Sequence, residues 1–444
     1  MIDSNGYNIG GSSSNSYDGF IDGGFIDDGF IDDGFIDGGF IDGGCNSYDT
    51  LYGHSRTICS IAFHPYEPII ASGSDDMTVR IWHIGTTIKC IRVLYDNVGR
   101  VCSIAFHSNG LYLATCSGYG STKLYSIKKI VNSDPSIILV HVSTFFGHSS
   151  AIRSLTFHPT LLILATGSCD STIKLWLFND DGNNDGCNNN DGCNNNNNDG
   201  CNNNDGCNNN VIGKCYKTLY NHTSIICSIT FHPFLPIMAS GSCDKTVRIW
   251  SFNDDYSNVN YNDIIHKHDN YIFSVAFHQI YPIMATCSWD NTIKLWPINV
   301  YDNDNYSWCK GITLHGHNDA VYGIAFHPFA PLIVSGSADN TIKIWKFNVK
   351  CTHSQCIMTL CEHIDTVHAI SFHPKTFIMA SCSADNTIKL WNISNILPFP
   401  YERFILVKKH LSKYLPIDII EKILKNSFNM YGEKRITKHL YLLR

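Results

Sequence analysis

Between residues 58 and 95 the chain alternates apolar and polar positions in four short bursts. "ICSIAFHP" (58–65) alternates, "PIIASGS" (68–74) is apolar and then small, "TVRIW" (78–82) alternates again, and "CIRVLY" (90–95) closes the set. A period of two over five or six residues, punctuated by Pro, Gly, Ser and Asp, predicts short β-strands joined by tight turns. The same order returns along the chain, with outer bursts such as "KCYKTLY" (214–220) and "CIMTL" (356–360). The pattern therefore predicts a four-stranded β unit, repeated.

The repeat is clearest in "TGSCDSTIKLW" (166–176), which returns as "SGSCDKTVRIW" (240–250), "TCSWDNTIKLW" (286–296), "SGSADNTIKIW" (335–345) and "SCSADNTIKLW" (381–391). In six copies a His lies 28 residues before the Trp: His54–Trp82, His148–Trp176, His222–Trp250, His268–Trp296, His317–Trp345 and His363–Trp391. An Asp lies six before each Trp: Asp76, Asp170, Asp244, Asp290, Asp339 and Asp385. A seventh copy is degenerate, with Tyr125 for Trp, Tyr119 for Asp and Asn97 for His. Successive Trp/Tyr positions are 43 to 51 apart, with one gap of 74 that holds an Asn/Gly/Asp/Cys tract at 180–210. A period in the forties predicts stacked identical units.

These motifs resemble the WD40 repeat family over roughly residues 46–392. Gly-His stands at 53–54, 147–148 and 316–317, while the closing Trp-Asp pair is absent throughout. The resemblance implies an all-β fold, a seven-bladed propeller. It also implies one buried hydrogen-bond chain per blade, running through His, the turn Asp, a strand Ser or Thr, and Trp. In the third blade these are His148, Asp170, Thr166 and Trp176; the second blade is expected to have no such network. Although it contains Ser, His and Asp, the set recurs in six blades and is expected to be buried, so it does not read as a catalytic triad. Ring closure is expected from "SYDTLY" (47–52) pairing with the last blade (about 366–392), which hides two sheet edges. A second His series, in "FHP" and its variants, reads as a Phe-anchored turn, because equivalent positions on different blades lie too far apart to share a metal.

Outside the ring, "GFIDGGFIDDGFIDDGFIDGGFIDGG" (19–44) is a Gly-punctuated pentapeptide repeat, and residues 1–45 are expected to be a disordered arm. The tract at 180–210 is expected to be a tolerated loop expansion, since loop-closure entropy grows slowly with length. Residues 393–444 have helical periodicity, with Ile419, Ile420, Ile423 and Leu424 on one face after Leu415 and Pro416. "LPIDIIEKIL" (415–424) resembles the opening of an F-box, and a helical segment after a propeller resembles a SOCS-box arrangement. That resemblance implies an adaptor hook; the other reading is a tail helix that packs on the propeller or dimerises.

Composition narrows the function. A net charge of −7 gives no general attraction to nucleic acid or anionic membrane. No apolar run approaches a membrane span, and the N-terminus does not read as a secretory signal. Nineteen Cys, an odd number, predicts free thiols in a reducing intracellular compartment, cytoplasmic or nuclear. Cys59, Cys102, Cys227 and Cys287 fall at strand-like positions, where free Cys behaves as a small hydrophobe. No phosphate-binding loop, nucleophile elbow or helical metal signature is present, so no enzyme activity, cofactor or metal is expected. The expected function is a protein-interaction scaffold. The alternative is the substrate-recognition subunit of a cullin-type ubiquitin ligase, its tail docking a Skp1-like or elongin-like adaptor. The expected binding face bears the His loops. Its mouth is lined five residues after each His position by Cys59, Cys102, Arg153, Cys227, Phe273, Tyr322 and His368, with Trp289 beside a turn Asp and Arg56, Asp319 and Asp365 around the rim.

Overall fold

The alternating bursts fold as antiparallel strands in seven sheets. The computed structural model describes residues 47–396, apart from 86, 96, 130–136, 179–212, 254–255, 257, 266–267, 303–304 and 349–350. The N-terminal arm, the Asn tract and the tail from 397, with Leu415, Pro416, Ile419, Ile420, Ile423 and Leu424, lie outside the described residues. Among the described residues the helical structure is one 3-10 turn, Ser394–Ile396, and no helix is long and apolar enough to cross a membrane.

In the first blade the strands Ile58–Phe63, Ile69–Ser74, Val79–Ile84 and Ile88–Leu94 pair in chain order. The first strand of each blade lies beside the first strand of the next, and the series closes on itself, so these strands surround a central channel. Side-chain hydroxyls stitch neighbours together: the amide N–H groups of Ile104, Leu155, Ile229 and Val275 donate to Ser60, Ser103, Ser154 and Ser228 of the preceding blade.

The core is the set of layers between blades. One layer joins Ile69, Ala71, Val79 and Ile81 of the first blade to Val101, Ile104 and Leu113 of the second. Another joins Ile58, Ile61 and Phe63 to Ala380, Cys382, Ile388 and Leu390, which makes the first and last blades ordinary neighbours. Second strands are covered on both faces, which is why "IIASGS" and "IMATCS" are apolar and small rather than alternating. Cys116, Cys287 and Cys382 are fully buried in these strands as small hydrophobes.

The ring closes because the N-terminal strand supplies the outer strand of the seventh blade. Ser47–Leu51 pairs antiparallel with Ile388–Asn392, with Leu51 opposite Ile388. In three other blades a third-strand Lys donates to an outer-strand Thr: Lys174 to Thr218, Lys294 to Thr313, Lys343 to Thr359. Lys389 makes the same bond to Thr50 at 3.2 Å, so the N-terminal strand occupies a standard outer position. Glu362 adds a clamp, accepting from the Ser47 amide at 2.7 Å and from the Ser47 hydroxyl.

The fifth blade departs from four strands per unit. Its third strand, Ile293–Asp302, pairs with Ile312–Leu314 near its start and with Asn305–Trp308 near its end. Other blades accommodate one extra outer-strand residue as a bulge beside the Trp. Here the outer strand breaks in two at that point, and the next third-strand residue, Pro297, has no N–H for the ladder.

Candidate functional site: the channel mouth

Six of the seven blades hold the turn at the channel mouth with a buried polar chain. In the first blade His54 Nδ1–H donates to Asp76 Oδ2 at 2.8 Å, the Ser72 hydroxyl donates to His54 Nε2 at 2.7 Å, and Trp82 Nε1–H donates to the Ser72 oxygen at 2.9 Å. The pattern repeats with His148, Asp170, Thr166 and Trp176, and with His222, Asp244, Ser240 and Trp250. It continues through His268, Asp290, Thr286 and Trp296, then His317, Asp339, Ser335 and Trp345, and His363, Asp385, Ser381 and Trp391. Sequence reasoning missed a fifth member. The Thr two residues after each Asp (Thr78, Thr172, Thr246, Thr292, Thr341, Thr387) donates its hydroxyl to Asp Oδ1. Its signal, Asp-x-Thr in all six copies, was present in the sequence.

Burial alone would raise these carboxyls, but the bonds from His and Thr outweigh it and hold all six well below the usual carboxylate range. Burial lowers His54 and His222 against the pull of their Asp partners, consistent with a neutral ring that donates at Nδ1 and accepts at Nε2. The hydroxyls of Ser72 and Thr166 belong to residues with no exposed surface and already carry an indole N–H, so no substrate reaches them as nucleophiles. Gly53 has φ +153°, and a Cβ there would meet Trp82 Cη2 at 3.2 Å; Gly147 and Gly316 take the same shape against Trp176 and Trp345. The Gly of Gly-His thus lets the backbone lie on the indole edge.

The second blade has no such chain among the described residues. A remnant persists: the Thr115 hydroxyl donates to Asn97 Oδ1 at 3.2 Å. Asn97 Nδ2 is buried without a partner, and Tyr119, in the Asp position, is exposed. Neither residue can supply the carboxylate that gathers the turn.

The mouth residues owe their direction to a bulge. In every first strand the register slips by one residue, between Ile58 and Ser60, Val101 and Ser103, Ile152 and Ser154, and onward to Val367 and Ala369. The extra residues are Cys59, Cys102, Arg153, Cys227, Phe273, Tyr322 and His368. A bulge re-aims a side chain out of the strand's alternation, so Cys59, Cys102 and Cys227 are only partly buried, unlike the core Cys287. In four blades the bulged residue is partnered by the one before the turn Asp. Cys59 Sγ donates to Asp75 Oδ1 at 3.2 Å, Arg153 lies beside Cys169, Cys227 meets Cys243, and Phe273 meets Trp289.

These pairs divide the mouth into two arcs. On the fifth to seventh blades Trp289, Phe273, Tyr322 and His368 form one continuous run. Their ring centroids are 5.9, 4.5 and 5.2 Å apart in order, and Phe273 and Tyr322 are stacked. Tyr271 flanks Trp289 at 5.4 Å. On the first to fourth blades stand thiols, Asp75 and Arg153. Arg56, Asp319 and Asp365 are exposed on the rim, where the two carboxylates cap their own loops by accepting from Ala320 and Thr366 N–H. Beyond them lies a row the sequence reading did not single out. Tyr52, Tyr95, Phe146 and Tyr220, each two residues before a His position, are 44%, 76%, 73% and 58% exposed. An aromatic in that place in four consecutive copies was the available signal.

The opposite face is built by the second His series, which is a structural ring. The His158, His232, His278, His327 and His373 Nδ1 atoms each accept two backbone N–H bonds from their own turn. Each ring packs edge-on against the Phe of the next blade, from His64–Phe106 round to His373–Phe63. Among the described residues no group of three or more His, Cys, Asp or Glu could hold a metal ion.

Comparison with known proteins agrees with this architecture. The sequence model of the family described as WD domain, G-beta repeat matches residues 45–83, 88–126, 139–176, 213–251, 261–297, 308–346 and 354–392. The chain is similar to Pre-mRNA-processing factor 19 of Mus musculus, 32% identical over 130 residues, which are 29% of this chain and 24% of that protein. It is similar to Nuclear distribution protein PAC1 of Arthroderma otae, 26% identical over 213 residues, 46% of this chain and 37% of that protein. It is also similar to Protein hir1 of Schizosaccharomyces pombe, 32% identical over 140 residues, 29% of this chain and 14% of that protein. The chain thus matches well under half the length of each of these relatives. Each family match begins near an outer strand of one blade and ends beside the Trp or Tyr of the next, and by these seven matches the chain belongs to the WD40 repeat family.

Proposed function

We propose that this protein is a non-catalytic interaction scaffold that binds a protein or peptide on the propeller face bearing the His loops. The supporting observation is the run Trp289–Phe273–Tyr322–His368 across three blades, with Trp289 40% exposed and Arg153 across the mouth. Partly exposed aromatics with an Arg on a rigid frame are the composition of an interface hot spot. Exposed Tyr52, Tyr95, Phe146 and Tyr220 extend the aromatic surface along the rim. An intracellular setting, cytoplasmic or nuclear, belongs to the same proposal and draws on the names of the relatives, a pre-mRNA-processing factor and a nuclear distribution protein.

The test is affinity purification with alanine at Arg153, Phe273, Trp289 and Tyr322 in a folded protein. Loss of partners supports the proposal; an unchanged partner set moves binding off this face. The ubiquitin-ligase reading rests on Leu415, Pro416, Ile419, Ile420, Ile423 and Leu424 alone. It requires that deleting 397–444 remove Skp1-like, elongin-like or cullin proteins from the purified set.

A further inference from the structure

The thiol arc of the mouth carries a chemistry that partner binding does not use. Only the fourth blade places cysteines at both paired positions, the bulge and the residue before the turn Asp. Cys227 Sγ and Cys243 Sγ lie 3.4 Å apart. A disulfide bond is about 2.05 Å long, so the sulfurs need to approach by only ~1.4 Å. Their backbones are already tied, since Cys243 N–H donates to Ile225 O at 2.9 Å. Side-chain rotation can therefore close the gap without moving a strand. Both residues are partly exposed at the channel mouth, within reach of a small oxidant.

We propose that Cys227 and Cys243 form a peroxide-responsive dithiol that closes to a disulfide across the fourth blade. The two sulfurs have different roles. The bond from Cys227 S–H holds the Cys243 thiol below its ordinary pKa against the effect of burial, and the nearby Arg153 guanidinium acts in the same direction. That same bond, with burial, pushes Cys227 up. Cys243 is thus the attacking thiolate. It takes one oxygen from hydrogen peroxide, giving Cys243–SOH and, with one proton, water. The Cys227 sulfur then attacks that sulfur, its proton leaves with the hydroxyl as a second water, and the S–S bond forms. An external dithiol reverses the reaction by exchange. The equivalent thiol of the first blade makes the contrast: burial and the Asp75 carboxylate push Cys59 far up, so it stays protonated.

The test uses the reduced full-length chain. Trypsin cuts after Lys217 and Lys245, so Cys227 and Cys243 are the only cysteines in their peptide. After limiting hydrogen peroxide and N-ethylmaleimide, that peptide should be two hydrogens lighter and unalkylated. It should form at least about tenfold faster than oxidation at the exposed Cys361, because attack follows thiolate character. Dithiothreitol should restore alkylation. In Cys227→Ser, dimedone should label Cys243; in Cys243→Ser, Cys227 should stay unlabelled. The proposal is overturned if the wild-type peptide is doubly alkylated while Cys361 oxidises, or if the linkage forms only in urea. The wild-type measurement decides this whether or not the serine variants fold.

Discussion

At the residue scale, one carboxylate gathers the turn in each of six blades. Asp170 accepts from His148 Nδ1 and Ser149 N–H through Oδ2, and from Thr172 N–H and hydroxyl through Oδ1. Asp170→Ala strands these donors, and the expected loss is ~1–3 kcal/mol in urea denaturation; a midpoint equal to wild type would remove the clamp assignment. The His–Phe ring makes a second prediction. Burial pushes His158, His232, His278, His327 and His373 down to about 4. An unfolded His titrates near ~6.5. Between those values the unfolded chain binds protons that the native state refuses, so stability is full above ~6.5 and falls as pH drops toward ~4. The network aspartates, whose native values are depressed, extend the loss below ~3.9. Thermal midpoints should therefore decline steadily from pH 7 to 4.5, and a level profile would contradict the neutral ring. The His-Asp-Trp spacing and the Asp-x-Thr signal were both open to reading in sequence. Which sulfur faces which was not, because it depends on a one-residue register slip.

At the element scale, the seven blades are unequal. In place of the polar chain the second has, among the described residues, the Asn97–Thr115 bond, with an unpartnered Asn97 Nδ2 and Gly120 in the left-handed position after Tyr119. It should exchange its amide protons faster than any other blade, at the turn 117–121 above all. Hydrogen exchange by mass spectrometry checks this, and uniform protection across blades would refute it. The degeneracy was legible as Asn97, Tyr119 and Tyr125. The split outer edge of the fifth blade was not, because alternation says nothing about where a ladder breaks.

At the scale of the whole molecule, stability depends on closure. Residues 47–51 supply the outer edge of the last blade, clamped by Glu362 and Lys389. Removing residues 1–51 leaves Ile388–Asn392 paired only with Ile378–Ser383, its outer side an open edge that invites association. Such a truncation should melt lower and sediment as aggregate, whereas removing residues 1–45 should not change the midpoint. Equal behaviour of the two truncations would mean that the strand is dispensable. The sequence alone determined the all-β repeat, its seven copies and the fixed His–Asp–Trp offsets, because a period of two sets a strand's faces and a recurring offset marks the repeat. The propeller and the polar chain in six blades were implied by the WD40 resemblance of those motifs. Tertiary structure decided what each blade offers its neighbours and the channel. The bulge turns Cys227 and Phe273 toward the mouth, the curvature of the ring brings Phe273 onto Tyr322, and each His of the second series meets the Phe of the next blade. Those pairings join residues of different blades, from Phe273 and Tyr322 to His373 and Phe63, and only closing the sheets into a ring brings them together.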